Sequence, residues 1–174
     1  MSERIRVLLV DDHEAMRLGL RLMLEAEADL EVVGEADTAS RAVVAAGRLR
    51  PDLVLLDVFL PDRSGIEASD RSGIEACREI RAENKAVRVL MLTSSNDETA
   101  VRSAMMAGAN GYLLKNAPRQ ELLAAIRSVA GGATLLDPAV AKAVQQMLAD
   151  LSGGAQPARG ELSEREREVI ALIA

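Results

Sequence analysis

The stretch "DLVLLDVFLP", residues 52–61, decides the fold. Its apolar run from Leu53 to Leu56 is unbroken and closes on Asp57. Runs of this kind are typical of strands buried on both faces, in a parallel sheet covered by helices on both sides. Ligands of open parallel sheets lie beyond the carboxyl ends of the strands, so Asp57 stands where a functional residue is expected.

Similar short runs occur on either side of this stretch and alternate with segments of helical composition. The runs are "IRVLLV" (5–10), "LEVVGEA" (30–36), "VRVLML" (87–92) and "GYLLK" (111–115). The segments between and after them predict helices near 14–26, 38–48, 73–83, 97–107 and 118–130. This strand and helix alternation predicts an α/β fold with a five-stranded, doubly wound parallel sheet.

The composition limits the possible classes of protein. A chain of 174 residues with a formal charge of −6 can bury one core plus a small second unit, and as a whole it lacks the positive charge of a nucleic-acid-binding protein. The apolar run near the N-terminus is too short for a signal peptide or a membrane span, so we expect a cytoplasmic protein that does not bind membranes. The single cysteine, Cys77, excludes an internal disulfide and is interpreted as a buried, inert thiol.

Polar residues close four of the predicted strands. They are Asp11 and Asp12, Asp57, Thr93 with Ser94, and Lys115. Each alone has an ordinary role as a helix cap, turn residue or surface charge, but their joint placement at one sheet edge indicates a site. Three carboxylates need a cation, and hard oxygen ligands favour Mg²⁺. A phosphoryl group on Asp57 could then be stabilised by the metal, Lys115 and the Thr93 hydroxyl.

Several motifs carry a family resemblance. The segments "VLLVDDHEAMRLGL", "PDLVLLDVFLPDRSGIEA", "VLMLTS" and "GANGYLLK" resemble the receiver domain of two-component response regulators. The tail "LSEREREVIALIA" is similar to the start of the LuxR-type helix-turn-helix of the NarL/FixJ subfamily. The resemblance implies a flavodoxin-like sheet of order 2-1-3-4-5. It also implies phosphorylation by a sensor histidine kinase, a homodimer linked to phosphorylation, and no enzymatic activity beyond self-catalysed phosphoryl transfer and slow autodephosphorylation.

The same resemblance assigns roles to individual residues. Asp57 would be the phosphoacceptor and a metal ligand, and Lys115 the partner of the phosphate. Asp11, Asp12 and the main-chain carbonyl of Phe59 would also bind the Mg²⁺ ion. Thr93 would be the switch hydroxyl, and Tyr112 the switch aromatic.

The resemblance also divides the chain into three parts. Residues 1–131 are expected to form the receiver, and residues 132–160 a linker with one helix capped by Asp137. Residues 161–174 are interpreted as the first helix of a truncated output domain, opened by a capping box at Ser163. Specific DNA binding is therefore expected only of a longer chain that contains the whole output domain.

The sequence also bears on two other functional classes. A phosphatase of the haloacid dehalogenase type needs a second acid two residues after the nucleophile, where Phe59 stands, so that class is disfavoured. A receiver that acts only through protein contacts remains the alternative to a transcription regulator.

Some residue types that often bind metals or cofactors have simpler interpretations here. His13, the single histidine, is expected at the N-terminus of the first helix beside the acidic pair rather than as a phosphohistidine or metal ligand. Met105, Met106 and Met147 are interpreted as core filling.

The chain contains a tandem repeat next to the predicted nucleophile. The first copy, residues 62–69, reads "DRSGIEAS", and the second copy, residues 70–77, reads "DRSGIEAC". Both contain a capping box, beginning at Ser64 or Ser72. Only the second copy leads directly into "CREIRAEN", which places Ile74, Cys77 and Ile80 on one helix face. We expect Ser72 to cap the third helix, Ile74 to fill the core, and residues 62–71 to form an enlarged loop.

Overall fold

The computed structural model describes residues 3–61, 72–94 and 97–136, together with residues 141, 142, 145, 146 and 149. The strands are β1 (Ile5–Val10), β2 (Leu30–Ala36), β3 (Leu53–Asp57), β4 (Arg88–Thr93), β5 (Gly111–Leu114) and β6 (Leu135–Leu136). The helices are α1 (Glu14–Glu25), α2 (Ala39–Leu49), α3 (Ser72–Glu83), α4 (Glu98–Met106) and α5 (Arg119–Ala130). The five strands and five helices predicted between residues 5 and 130 are therefore confirmed, each within one residue at either end.

The strands form one parallel sheet of order β2-β1-β3-β4-β5-β6. The predicted order of the first five strands is confirmed, but the predicted strand number was one too low. After α5, Gly132 adopts φ +101, and the Leu135 amide donates to the Asn110 carbonyl at 3.0 Å. β6 has only two residues and no hydrophobic period, so sequence patterning could not distinguish it from the expected linker.

Side chains of each strand alternate between two hydrophobic cores. Val7 and Leu9 of β1 face the core that α1 and α5 cover, whereas Leu8 and Val10 face the core under α2, α3 and α4. Because successive side chains of a strand point to opposite faces, an unbroken apolar run fills both cores. Because both faces of the sheet are buried, polar side chains cluster at its carboxyl edge.

The third helix uses the second copy of the repeat. α3 begins at Ser72, and Ile74, Cys77 and Ile80 are all buried, as predicted. Ser72 is the first described residue of α3, and residue 71 before it lies outside the described residues, so the predicted cap at Ser72 stays a prediction. The predicted enlarged loop, residues 62–71, lies outside the described residues.

Two of the minor predictions can be compared with the structure. Burial raises the pKa of Cys77 to about 12, which fits the inert thiol that was expected. Met105 packs against a core, but Met106 is 54% exposed, so its interpretation as core filling was wrong because it lies on the outer face of α4.

The predicted C-terminal segments are described only in part. Residues 141, 142, 145, 146 and 149 are helical, within the helix predicted for the linker. Met147, the caps at Asp137 and Ser163, and the segment 161–174 lie outside the described residues. Among the described residues, no helix has the length and apolar character needed to cross a membrane.

Candidate functional site

The carboxyl edge of the sheet brings together the predicted polar residues. Asp11 follows β1, Asp57 ends β3, Thr93 ends β4, and Lys115 follows β5. Asp11, Asp57 and Thr93 expose only 2%, 3% and 0% of their surfaces. Parallel pairing of β1 with β3, β3 with β4, and β4 with β5 places their ends side by side, which explains this convergence.

Lys115 connects the two buried carboxylates. Its Nζ donates to Asp11 Oδ2 and to Asp57 Oδ2, each at 2.7 Å. The other oxygen of Asp57, Oδ1, accepts the Phe59 amide at 3.2 Å. Both oxygens of Asp57 are thus oriented by donors, which holds the carboxylate in one position at the sheet edge.

The charges of Asp57 and Lys115 respond differently to this environment. Burial raises the pKa of Asp57, and the hydrogen bond from Lys115 opposes that rise only in part. Burial alone would lower the pKa of Lys115, but its hydrogen bonds to Asp11 and Asp57 outweigh burial and raise it. Lys115 therefore stays cationic, while the Asp57 carboxylate is a charge held against an unfavourable solvation energy.

Asp12 and His13 extend the site toward solvent. His13 precedes α1, as predicted, and its amide donates to Asp11 Oδ1 at 2.8 Å. The imidazole Nδ1 lies 2.9 Å from Asp12 Oδ1 and 3.3 Å from Asp11 Oδ1. The side chain of His13 is 70% exposed, so the ring covers the acidic pair from outside.

This cluster has a donor set suited to a divalent cation. One ligand atom from each of Asp11, Asp12, His13 and Asp57 lies within 4.8 Å of all the others. Three carboxylates beside one ammonium leave two uncompensated negative charges, and carboxylate oxygens are the ligands that Mg²⁺ prefers. The residues present therefore fit the cation that the sequence predicted.

Thr93 and Tyr112 lie next to each other in the interior. Both are 0% exposed, and they stand on the neighbouring strands β4 and β5. Burial raises the pKa of Tyr112, while the Thr93 hydroxyl acts against that rise. Among the described residues, however, the Tyr112 hydroxyl has no partner at hydrogen-bonding geometry. The tyrosine ring is thus already packed inside the protein beside Thr93.

Two contacts at this edge were missed by the sequence reasoning. The Arg17 guanidinium donates to the Asp11 carbonyl at 2.6 Å, and Gly73 packs against the main chain of Asp57 and Val58. Arg17 lies one turn into α1 on the side facing the acidic pair, which only the three-dimensional arrangement reveals. Phe59 is the residue whose main-chain carbonyl was expected to bind Mg²⁺. Its amide donates to Asp57 Oδ1, and the residue is 39% exposed.

Comparison with known proteins identifies the family of this chain. Residues 7–127 match the family described as the response regulator receiver domain. The chain is 37% identical over 169 residues to the DNA-binding transcriptional activator DevR/DosR of Mycobacterium tuberculosis, covering 97% of this chain and 74% of that protein. It is 39% identical over 170 residues to the transcriptional regulatory protein LiaR of Bacillus subtilis, covering 98% of this chain and 76% of that protein.

A solved structure supports the same assignment. A two-component response regulator of the LuxR family from Aurantimonas sp. SI85-9A1 superposes with a TM-score of 0.75 at 32% identity, covering 84% of this chain and 99% of that one. Fold, family match and curated relatives agree. The chain belongs to the response regulator receiver family, in the group whose relatives are transcriptional regulators.

Proposed function

We propose that this chain receives a phosphoryl group on Asp57 from a sensor histidine kinase and thereby controls a DNA-binding output domain. The observation that carries the proposal is the bridge from Lys115 to Asp11 and Asp57 at the carboxyl edge of the sheet. A buried carboxylate with oriented oxygens, a fixed ammonium and an adjacent acidic pair has the parts that phosphoryl transfer requires.

The proposed transfer replaces a P–N bond of the donor with a P–O bond to Asp57. A carboxylate oxygen of Asp57 attacks the phosphorus of the donor, a P–O bond forms, and the P–N bond to the donor imidazole breaks while that imidazole takes up a proton. Lys115 Nζ, already 2.7 Å from Asp57 Oδ2, stabilises negative charge on the transferring oxygens. Mg²⁺ held by Asp11, Asp12 and Asp57, with the Phe59 carbonyl, would neutralise further charge on the phosphoryl group.

Thr93 and Tyr112 provide a means of sensing the phosphoryl group. A phosphoryl oxygen at Asp57 would accept a hydrogen bond from the Thr93 hydroxyl and draw that side chain toward the site. Since Tyr112 is already buried beside Thr93, phosphorylation would hold this inward arrangement rather than create it. The switch is then a shift between pre-existing states, by a few kcal/mol or less.

Two curated relatives support the output side of the proposal by their names, which describe a transcriptional activator and a transcriptional regulatory protein. A phosphorylation-linked homodimer would fit such an output, since dimeric regulators bind paired half-sites on DNA. A receiver that works through protein contacts alone would keep the phosphorylation chemistry and lack this output.

The site can be tested with beryllium fluoride, which mimics a phosphoryl group on a carboxylate. In the presence of Mg²⁺, the adduct should shift the amide resonances of Asp57, Thr93 and Tyr112, and a chelator should reverse the shifts. In Thr93→Ala the adduct should still form at Asp57, but the shift at Tyr112 should be lost. Shifts at Tyr112 that persist unchanged in Thr93→Ala would contradict the proposed coupling. The absence of any adduct in the unsubstituted chain would contradict the site itself.

A further inference from the structure

The first turn of α3 contacts the main chain that carries the phosphoacceptor. The Gly73 amide donates to the Val58 carbonyl at 3.1 Å. A Cβ atom on Gly73 would lie 2.0 Å from the Asp57 carbonyl oxygen and 2.6 Å from the Val58 carbonyl oxygen. Both atoms belong to the backbone and cannot rotate away, so any side chain at this position must displace either α3 or the end of β3.

That main chain also orients the Asp57 carboxylate. The Val58 amide donates to the Leu92 carbonyl of β4 at 3.0 Å, and the Phe59 amide donates to Asp57 Oδ1 at 3.2 Å. Val58 itself is completely buried. The segment from Asp57 to Phe59 is therefore fixed by β4 on one side and by Gly73 on the other. A displacement at Gly73 would move the donor that holds Asp57 Oδ1.

The tandem repeat raises the question of whether Gly65 could make the same contact. Gly65 stands eight positions before Gly73, at the equivalent place in the first copy. If the helix shifted by those eight positions, Ser69 would replace Cys77 and Ser72 would replace Ile80 in the core. Cys77 and Ile80 are 0% and 2% exposed, so the shift would exchange two apolar core residues for hydroxyls.

We propose that Gly73, and not its repeat equivalent Gly65, is a positioning residue for phosphoryl transfer to Asp57. This inference rests on the proposed function. Gly73 does not touch the phosphoryl group. It acts by allowing α3 to pack directly on the carbonyls of Asp57 and Val58, which keeps the Phe59 amide aligned with the carboxylate.

The test compares three variants of the full chain. Gly73→Ala introduces the clash, Gly65→Ala makes the same chemical change in the first copy, and Ile74→Val weakens the core under α3 without a change at Gly73. Each is phosphorylated with a small phosphodonor and Mg²⁺ well below its unfolding temperature, and uptake is followed by intact-mass spectrometry at several donor concentrations. Thermal unfolding of each variant is measured alongside.

The proposal predicts a specific loss in Gly73→Ala. Its rate at saturating donor should fall by at least about tenfold, because small misplacements of reacting groups slow reactions strongly. Its half-saturating donor concentration should change little, and Gly65→Ala and Ile74→Val should stay within about twofold of the unsubstituted rate, since neither alters the alignment of the Asp57 carboxylate.

Three results would overturn the proposal. They are an unchanged rate in Gly73→Ala, an equal loss in Gly65→Ala, or an equal loss in Ile74→Val at a comparable drop in unfolding temperature.

If Gly73→Ala does not fold, amide hydrogen exchange of the unsubstituted chain decides. The Gly73 amide should be as protected as the amides of β3, and rapid exchange would contradict the contact. Failure of the unsubstituted chain to accept a phosphoryl group would instead contradict the proposed function, while the exchange measurement would still test the contact.

Discussion

At the scale of single residues, Asp57 is a carboxylate whose burial opposes its own charge. Only 3% of its surface is exposed, and burial raises its pKa more than Lys115 and the Phe59 amide can lower it. The folded protein is therefore less stable when the Asp57 carboxyl group is charged than it would be without this buried charge. Functional sites commonly carry such a cost, because reactivity and optimal packing place different demands on the same residue.

This cost predicts that Asp57→Asn is more stable than the unsubstituted chain at neutral pH. A carboxyl group with a raised pKa makes the folded state bind its proton more tightly than the unfolded state. The contribution of Asp57 to stability therefore falls as the pH rises from 3.8, the ordinary pKa of this carboxyl group, through its raised pKa in the folded state. Asparagine has no charge to desolvate and keeps an oxygen for Lys115.

Thermal unfolding between acidic and neutral pH checks this expectation. The unfolding temperature of Asp57→Asn should exceed that of the unsubstituted chain near pH 7, a gain of about 1 kcal/mol corresponding to roughly 2–4 °C in a chain of this size. The difference should shrink as the pH is lowered. Asp52→Asn, at the opposite end of β3, removes the same charge from an exposed position and serves as the control. A lower unfolding temperature for Asp57→Asn would show that its pairing with Lys115 outweighs burial.

At the scale of elements, the repeat lets α3 be tested by two matched deletions. Removing residues 62–69 leaves "DRSGIEAC" before the rest of α3, whereas removing residues 70–77 leaves "DRSGIEAS". The two products differ only in a cysteine or serine at the position of Cys77. That position is completely buried, and its thiol lies 3.9 Å from the Ala107 carbonyl.

Both deletion products should fold and accept a phosphoryl group on Asp57, because Asp57 and Phe59 precede the repeat. Loop shortening changes closure entropy only slightly, so deletion of 62–69 should leave stability unchanged or slightly raised. The serine product should be less stable by about 1 kcal/mol, since its hydroxyl is harder to bury than a thiol. Denaturant unfolding measures the difference. Collapse of the 62–69 deletion product would show that the fold requires the eight additional residues, which would contradict the tolerated repeat.

The elements were predictable from sequence to different degrees. The strands β1, β3 and β4 were found because each contains an unbroken apolar run of four residues, which is typical of a strand buried on both faces. Asp57 and Lys115 followed because parallel strands end at one edge. β6 was missed because Leu135 and Leu136 form too short a strand to show a period. The Gly73 contact was missed because the sequence around a glycine at the start of a helix does not indicate which main-chain atoms pack against its Cα. The exposed position of Met106 depends on packing that composition does not encode.

At the scale of the whole molecule, Asp57, the proposed phosphoacceptor, and the last described strand are connected through Tyr112. Thr93 ends β4 beside Asp57, Tyr112 lies on the neighbouring strand next to Thr93, and Tyr112 pairs in register with Leu136 of β6. Leu136 also packs against the core that contains Tyr112. A change at Asp57 therefore has a continuous path of packed side chains and paired strands to the C-terminal strand of the sheet.

Intact-mass spectrometry shows whether Asp57 accepts the phosphoryl group. The unsubstituted chain and Asp57→Asn are incubated with a small phosphodonor and Mg²⁺, with a chelator-treated sample as the control. We expect the unsubstituted chain to gain the mass of one phosphoryl group only when Mg²⁺ is present, and Asp57→Asn to gain none. Equal phosphorylation of Asp57→Asn would contradict the assignment of Asp57 as the phosphoacceptor.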